Sequence, residues 1–298
     1  MRVHHLNCGV MRPLGGSLFD GFSEGATAEL ICHCLLLETD QGLVLVDTGF
    51  GLRDMAHPYR RLSPIFIHLD RIQFDPDLTA VHQIRALGLD PRDVRHIVMT
   101  HLDFDHAGGL EDFPDATVHV MEAELEAAWR RDGLIARERY PWEQLDEVQH
   151  WTTYRPGGER WYGFDAVRRL SGLPPEILFV SLPGHTLGHA GVAIDTGRGW
   201  LLHAGDSYFF RHEMDRPTRL CPPGARAYQR LMATDYDLHI HNQERLREVY
   251  RERRGTLRVF CTHDAVEFDA LSQTAPAPRE AWTGREEQGA AERAAVPA

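Results

Sequence analysis

The chain has 298 residues, 43% of them hydrophobic, enough for one large domain or two small ones around a buried core. Its formal net charge is −12, every basic side chain counted as Lys or Arg is Arg, and no long basic stripe occurs, which argues against non-specific nucleic-acid binding. No apolar run approaches the ~20 residues that cross a bilayer, and the opening MRVHHLNCGVMRP lacks the basic start and apolar stretch of a secretory signal, so no membrane association and a cytoplasmic location are expected.

In chain order, Leu30 to Glu38 and Leu43 to Asp47 read as two strands joined by the turn Thr39-Asp40-Gln41-Gly42. Cys32 and Cys34 alternate along the first, as buried small side chains. The five cysteines, an odd set without a CxxC pair, argue against a disulfide framework and a thiolate zinc site. Asp75-Pro76 offers an N-cap followed by a helix-starting proline. Leu78, Val81, Ile84 and Leu87 then recur at helical spacing until Gly88, predicting an amphipathic helix. His96 to Met99 reads as a buried strand ending at Thr100-His101, and Ala116 to Met121 as the next. Residues 122–175 read as a helix (Glu122 to Arg131) and then irregular chain, a helical insertion rich in Trp129, Tyr140, Trp142, Trp151, Tyr154, Trp161, Tyr162 and Phe164. These aromatics either pack a small core of their own or line a pocket. Ile177 to Leu182, Gly191 to Asp195, Trp200 to His203 and Leu257 to Cys261 read as further strands, and Asp237 to Arg254 as a helix. From Ser272 onward few large apolar residues occur, and 272–298 is expected to be a disordered tail behind a domain spanning 1–271. Both halves run strands, a helix, then a strand ending in Thr-His, as two related half-domains would.

Eighteen histidines are the compositional anomaly. His4, His5, His57, His68, His239 and His241 lie in no ligand-like cluster and read as solvated surface. His101-Leu-Asp103-Phe-Asp105-His106 is different, with four possible metal ligands in six residues where a strand ends. An irregular loop there can turn alternate and adjacent side chains inward together, which a regular helix or strand cannot. Imidazole and carboxylate suit zinc, manganese or iron, and argue against copper or iron–sulfur sites. Pro183-Gly184-His185-Thr186-Leu-Gly188-His189, Ala204-Gly205-Asp206 and Thr262-His263-Asp264 each follow a strand as well. Four strand-end loops bearing ligand-type side chains are expected to meet at one edge of the sheets.

This set of motifs resembles the metallo-β-lactamase-fold superfamily, whose signature is HxHxDH followed by distant His, Asp and His. The resemblance covers roughly Val3 to Leu271. It implies an α+β fold, a four-layer αββα sandwich of two mixed sheets with a binuclear site at one edge. Carried over by position, it implies a first metal site of His101, Asp103 and His185 and a second of Asp105, His106 and His263. Asp206 would bridge them, and Asp47 in Val-Asp47-Thr-Gly49 would orient a ligand. His189 is the alternative to His185, which matches better because it directly follows Pro-Gly. Asp103 departs from the pattern, replacing the usual histidine. Flavodiiron relatives carry a carboxylate there, so zinc is the first expectation and Asp103 shifts the preference towards iron or manganese.

The resemblance implies hydrolysis by a hydroxide held between two divalent ions, with Asp105 holding or accepting its proton. N-acyl homoserine lactonases of this superfamily carry a Tyr shortly after the bridging Asp that contacts substrate. Tyr208, two residues after Asp206 and one residue early for that match, is either its counterpart or a residue at the rim of the core. A small lactone or carboxylic ester is the leading substrate. A glyoxalase II-type thioesterase and a phosphodiesterase are alternatives, and so, from another class, is an iron-dependent oxidoreductase of persulfide dioxygenase or flavodiiron type. The partner is then a small molecule, and a homodimer is compatible with the chain.

Overall fold

The computed structural model describes residues 1–157, 159–167 and 169–273. The first sheet runs β4-β1-β2-β3-β5-β6-β7 and the second β13-β12-β11-β10-β9-β8. In the first, β1 is Arg2–Met11, β2 Leu30–Thr39, β3 Gly42–Val46, β4 Ile72–Gln73, β5 Val94–Val98, β6 Thr117–Met121 and β7 Trp151–Tyr154. In the second, β8 is Glu159–Trp161, β9 Phe164–Val167, β10 Ile177–Ser181, β11 Ala190–Asp195, β12 Trp200–His203 and β13 Leu257–Phe260. Both sheets are mixed. Strands β3, β5, β6 and β7 are mutually parallel, as are β12 and β13, while the other pairs are antiparallel.

The side-chain period of two explains the layers. Along β2, Leu35 and Leu37 turn towards the second sheet, where they cluster with Val44, Val46, Ile177, Phe179, Val192 and Ile194. Cys34 and Leu36 turn the other way, onto Val81 and Ile84 of the helix Ala80–Ala86. A strand buried on both faces needs an apolar residue at every position, which is why this segment reads as a continuous run. On the outer face of the second sheet, Leu178, Val180, Leu202 and Val259 pack against Leu246 of the helix Tyr236–Glu252. The result is the expected αββα sandwich.

Three expectations are corrected. The helix expected from Asp75-Pro76 begins later: Pro76–Leu78 is a separate 3-10 turn, Thr79 is extended, and the helix occupies Ala80–Ala86, with Gly88 in a left-handed conformation after it. Residues 122–175 are not a self-contained helical insertion. Beyond the helices Glu122–Arg130, Leu134–Arg139 and Trp142–Leu145 they supply β7 to the first sheet and β8 and β9 to the second. Buried Trp161 and Phe164 thereby join the second sheet's outer core. Strands this short, at or next to a sheet edge, carry too little alternation to declare themselves. Of the expected tail, Ser272 and Gln273 belong to the helix Ala265–Gln273, and residues 274–298 lie outside the described residues. Strand β1 carried no sequence expectation, because His4, His5 and Asn7 interrupt its apolar pattern. Among the described residues no helix is long and apolar enough to cross a membrane.

Candidate metal centre

Each expected ligand sits just beyond the end of a strand. Thr100-His101 follows β5, His185 lies beyond β10, Asp206 lies beyond β12 and His263 lies beyond β13. The parallel pairs β3/β5 and β12/β13 direct these ends to one edge of the sandwich. Gly205, at φ +54°, turns Asp206 inward; a Cβ there would lie 2.6 Å from His189 Nε2. His101, His106, His185, Asp206 and His263 are each at most 3% exposed, and Asp105 6%.

Asp206 is the hub. Its Oδ2 lies 3.1 Å from His263 Nε2, 3.5 Å from His185 Nε2 and 3.9 Å from His101 Nε2, and its Oδ1 lies 3.3 Å from His106 Nε2. Asp105 Oδ2 lies 3.6 Å from His263 Nε2 and 3.8 Å from His106 Nε2. His101, His185 and Asp206 form one group able to hold an ion, and Asp105, His106 and His263 another, each with ligand atoms within 4.8 Å of one another.

Hydrogen bonds behind the cluster set the histidine tautomers. Asp47 Oδ2 lies 2.8 Å from His106 Nδ1, and a carboxylate only accepts, so Nδ1 carries a proton and in the neutral ring Nε2 is the nitrogen left for a metal. The Ile31 carbonyl does the same for His263 at 2.8 Å. The Thr100 hydroxyl donates to Asp47 Oδ2 at 2.7 Å and therefore accepts from His101 Nδ1 at 2.9 Å. His101 Nε2, His106 Nε2, Asp103 Oδ1 and Asp206 Oδ1 are buried without a hydrogen-bond partner. Buried lone pairs left unpaired and converging are costly unless something electrophilic satisfies them, so this donor set fits divalent metal.

The charges fit as well. Burial pushes the Asp206 carboxyl up, but His263, His106 and His185 outweigh it and hold it well below the usual carboxylate range. Burial raises Asp105, and His106 and His263 only partly offset the rise. Burial likewise works against ionised Asp47, but His106 overrides it and keeps Asp47 a carboxylate.

Of the residues expected from the sequence, His101, Asp105, His106, His185, Asp206 and His263 come together, with Asp47 behind them. His189 is not in the cluster: its Nδ1 donates to the Leu182 carbonyl and its Nε2 accepts from the Asp206 amide. Tyr208 departs from the reading as a substrate contact. It is fully buried in the second sheet's outer core and its hydroxyl donates to Glu267 at 3.0 Å, because two residues past Asp206 the chain has turned away from the cluster. Phe209 faces the cluster instead, its ring 4.8 Å from that of His263 and 6.0 Å from that of His185. Asp103 is within reach, 3.5 Å from His101 Nε2, but Arg139 holds its Oδ2 at 2.7 Å. Of the histidines read as surface, His239 is buried and bonded to Gln229, and His5 is bonded to buried His33.

Two buried residues escaped sequence reasoning. Glu124 accepts from the Leu102 and Gly188 amides and the Tyr140 hydroxyl, tying two ligand loops together. Arg139 stands among several arginines between Arg130 and Arg139, and nothing in their spacing singles it out.

A family model described as the metallo-beta-lactamase superfamily matches residues 27–263. The chain belongs to this superfamily. A probable metallo-hydrolase of Mycobacterium tuberculosis is 40% identical over 275 residues, covering 92% of this chain and 84% of the relative. An N-acyl homoserine lactonase of Bacillus thuringiensis is 26% identical over 257 residues, covering 83% of this chain and 87% of the relative. Among solved structures, an N-acyl homoserine lactone hydrolase with the product N-hexanoyl-L-homoserine bound at its catalytic metal centre superimposes with TM-score 0.67. It is 22% identical and covers 90% of this chain and 95% of that one. A dizinc quorum-quenching lactonase superimposes with TM-score 0.57 at 18% identity, covering 88% of this chain and 86% of that one. These two show the fold. The chain is thus a metallo-hydrolase of the metallo-β-lactamase superfamily, and divalent metal is the cofactor its donor set accommodates.

Proposed function

We propose that this metallo-hydrolase is dinuclear and opens a small lactone or carboxylic ester. The observation that carries the reading is the position of Asp206, one carboxylate within 3.9 Å of four imidazole nitrogens. The first ion would be held by His101 and His185, the second by Asp105, His106 and His263, with Asp206 shared between them. Divalent ions bound there supply Lewis acidity to the acyl oxygen and make water acidic enough to act as a nucleophile near neutral pH.

The chain's own groups do the rest. Asp105 is the carboxylate to take up the proton released by the attacking water. Asp47, Thr100 and the Ile31 carbonyl keep the tautomers of His106, His101 and His263 fixed, so these three imidazoles do not have to reorganise during a turnover. Phe209 sets its ring 4.8 Å from that of His263 and gives the cluster an apolar neighbour. Arg139, which contacts Asp103 and His185, also lines a cavity of about 260 Å³ together with Ile135, Ala136, Leu187, Leu231 and Met232. Its mostly apolar wall suits an aliphatic acyl chain. The similarity to N-acyl homoserine lactonases supports the lactone, and zinc is the first choice of metal. The iron-dependent oxidoreductase alternative loses its argument, because the hard ligand it relied on, Asp103, is neutralised by Arg139.

The test is metal content of the purified protein together with a panel of lactones, aryl esters, thioesters and phosphodiesters. Two metals per chain and preferential lactone or ester turnover are expected. Preferential phosphodiester turnover would overturn the substrate class, and a chain active with all metal stripped would overturn the mechanism.

A further inference from the structure

Arg139 is the cation that the proposed mechanism leaves unused. It is 3% exposed, reaches the cluster from the end of the helix Leu134–Arg139, and is clamped on its other side by main chain. Its Nη1 donates to the carbonyls of Met232 at 3.0 Å and His185 at 3.4 Å. Its Nη2 donates to Asp103 Oδ2 at 2.7 Å and lies 3.2 Å from His185 Nε2. Several fixed contacts make it part of the wall, unlike a side chain that swings in and out.

The two halves of the cluster are therefore unlike. Among the described residues Asp105 pairs with His106 and His263 and with no arginine, so no fixed cation beside it cancels its charge. Asp103, on the other side, is already neutralised. The histidines differ in the same sense. His101, His106 and His263 each have Nδ1 anchored from behind, so Nε2 is the nitrogen turned towards the cluster carboxylates and left for an ion. His185 Nδ1 is buried without a partner, and its Nε2 faces the guanidinium and Asp103 Oδ2 at 3.1 Å. An ion at this nitrogen has to displace either the Arg139 N–H that Nε2 accepts or the proton that Nε2 donates to Asp103 Oδ2. A fixed positive charge beside the position repels a second cation as well.

We propose that Arg139 sets unequal affinities at the two metal positions. The Asp105–His106–His263 position fills first, and the His101–His185 position fills second and weakly, because Arg139 cancels Asp103 and contests His185. Arg139 is thus a positioning residue of the metal centre. The inference rests on the dinuclear reading above.

The experiment titrates metal-stripped, full-length protein with zinc against a chromophoric chelator, with stoichiometry read by native mass spectrometry. Wild type is expected to bind two equivalents at least tenfold apart. Arg139→Gln should tighten the weaker step at least tenfold and leave the stronger within threefold. Asp103→Asn, which leaves the guanidinium unneutralised, should weaken the weaker step at least tenfold. The double variant Asp103→Asn/Arg139→Gln should return it to within threefold of wild type, and this arm decides the question even where Arg139→Gln alone does not fold. Equal affinities in wild type overturn the proposal. A double variant as weak as Asp103→Asn also overturns it, since Asp103 would then be an ordinary ligand and Arg139 incidental. Both results leave the dinuclear hydrolase standing, whereas failure of every protein to bind zinc removes both readings.

Discussion

Replacing Asp47 by Asn tests whether the ligand tautomers are held from behind. The substitution preserves shape, and Asn tolerates the left-handed backbone that Asp47 adopts at φ +56°. Oδ1 continues to accept from the Thr100 amide at 2.7 Å. At the Oδ2 position, however, an NH2 group now faces two donors, His106 Nδ1 at 2.8 Å and the Thr100 hydroxyl at 2.7 Å. His106 must move its proton to Nε2, where the lone pair for the metal had been. If Thr100 reverses to accept from the new amide, its hydroxyl donates to His101 Nδ1 and forces the same change there. Loss of a hydrogen bond to a charged group costs about 1.5–3 kcal/mol. Removal of a carboxylate behind a metal-bound imidazole typically costs about 10–100-fold in metal affinity, or roughly 1.4–2.7 kcal/mol. Chelator competition should show that loss at both positions, with circular dichroism unchanged. Long-range ¹H–¹⁵N spectra should show His106 converting to the Nε2–H tautomer. A variant that keeps wild-type affinity within twofold and His106 protonated on Nδ1 would refute the reasoning.

Asp206→Ala removes the carboxylate common to both ligand groups, so metal content and hydrolysis should fall together, and a fully metallated, fully active variant would rule out a shared ligand. The Tyr228 ring lies 5.9 Å from Phe209, near enough to the cluster for the charges of Asp105 and Asp103 to oppose its ionisation, and its hydroxyl donates to Asp70 at 3.2 Å. Tyr228→Phe should lower kcat/KM for esters by about tenfold, or ~1.4 kcal/mol, whereas Tyr208→Phe should alter thermal stability and leave kcat/KM within twofold; the reverse pattern would restore Tyr208 to the site. Burial, then the charge of Asp264, pushes Glu267 up from an ordinary 4.5 to about 8. Its folded pKa is raised, so its protonated form contributes stability that is complete below about pH 4.5 and is lost as pH rises through 8. The stability of metal-free wild type relative to Glu267→Gln should therefore decline between pH 5 and pH 8.5, by at most about 5 kcal/mol. A difference independent of pH in denaturant melts would contradict it.

The sequence by itself determined the sandwich's central strands and the metal-ligand loops. Strands such as Leu30–Thr39 and Ile177–Ser181 are buried on both faces, which imposes unbroken apolar runs, and a ligand loop at a strand end packs chemistry into a few neighbouring letters. Asp47, in the turn just after β3, was legible only through the resemblance to the superfamily. The tertiary structure alone decided the role of residues 122–175, whose short strands gain their order from the sheets they join. It also decided that Tyr208 faces the core, since a difference of one residue along a loop reverses a side chain's direction and composition does not record it. Above all it decided Arg139. Its pairing with Asp103 spans 36 residues, and an arginine among arginines shows its meaning only when the fold buries it against one particular carboxylate.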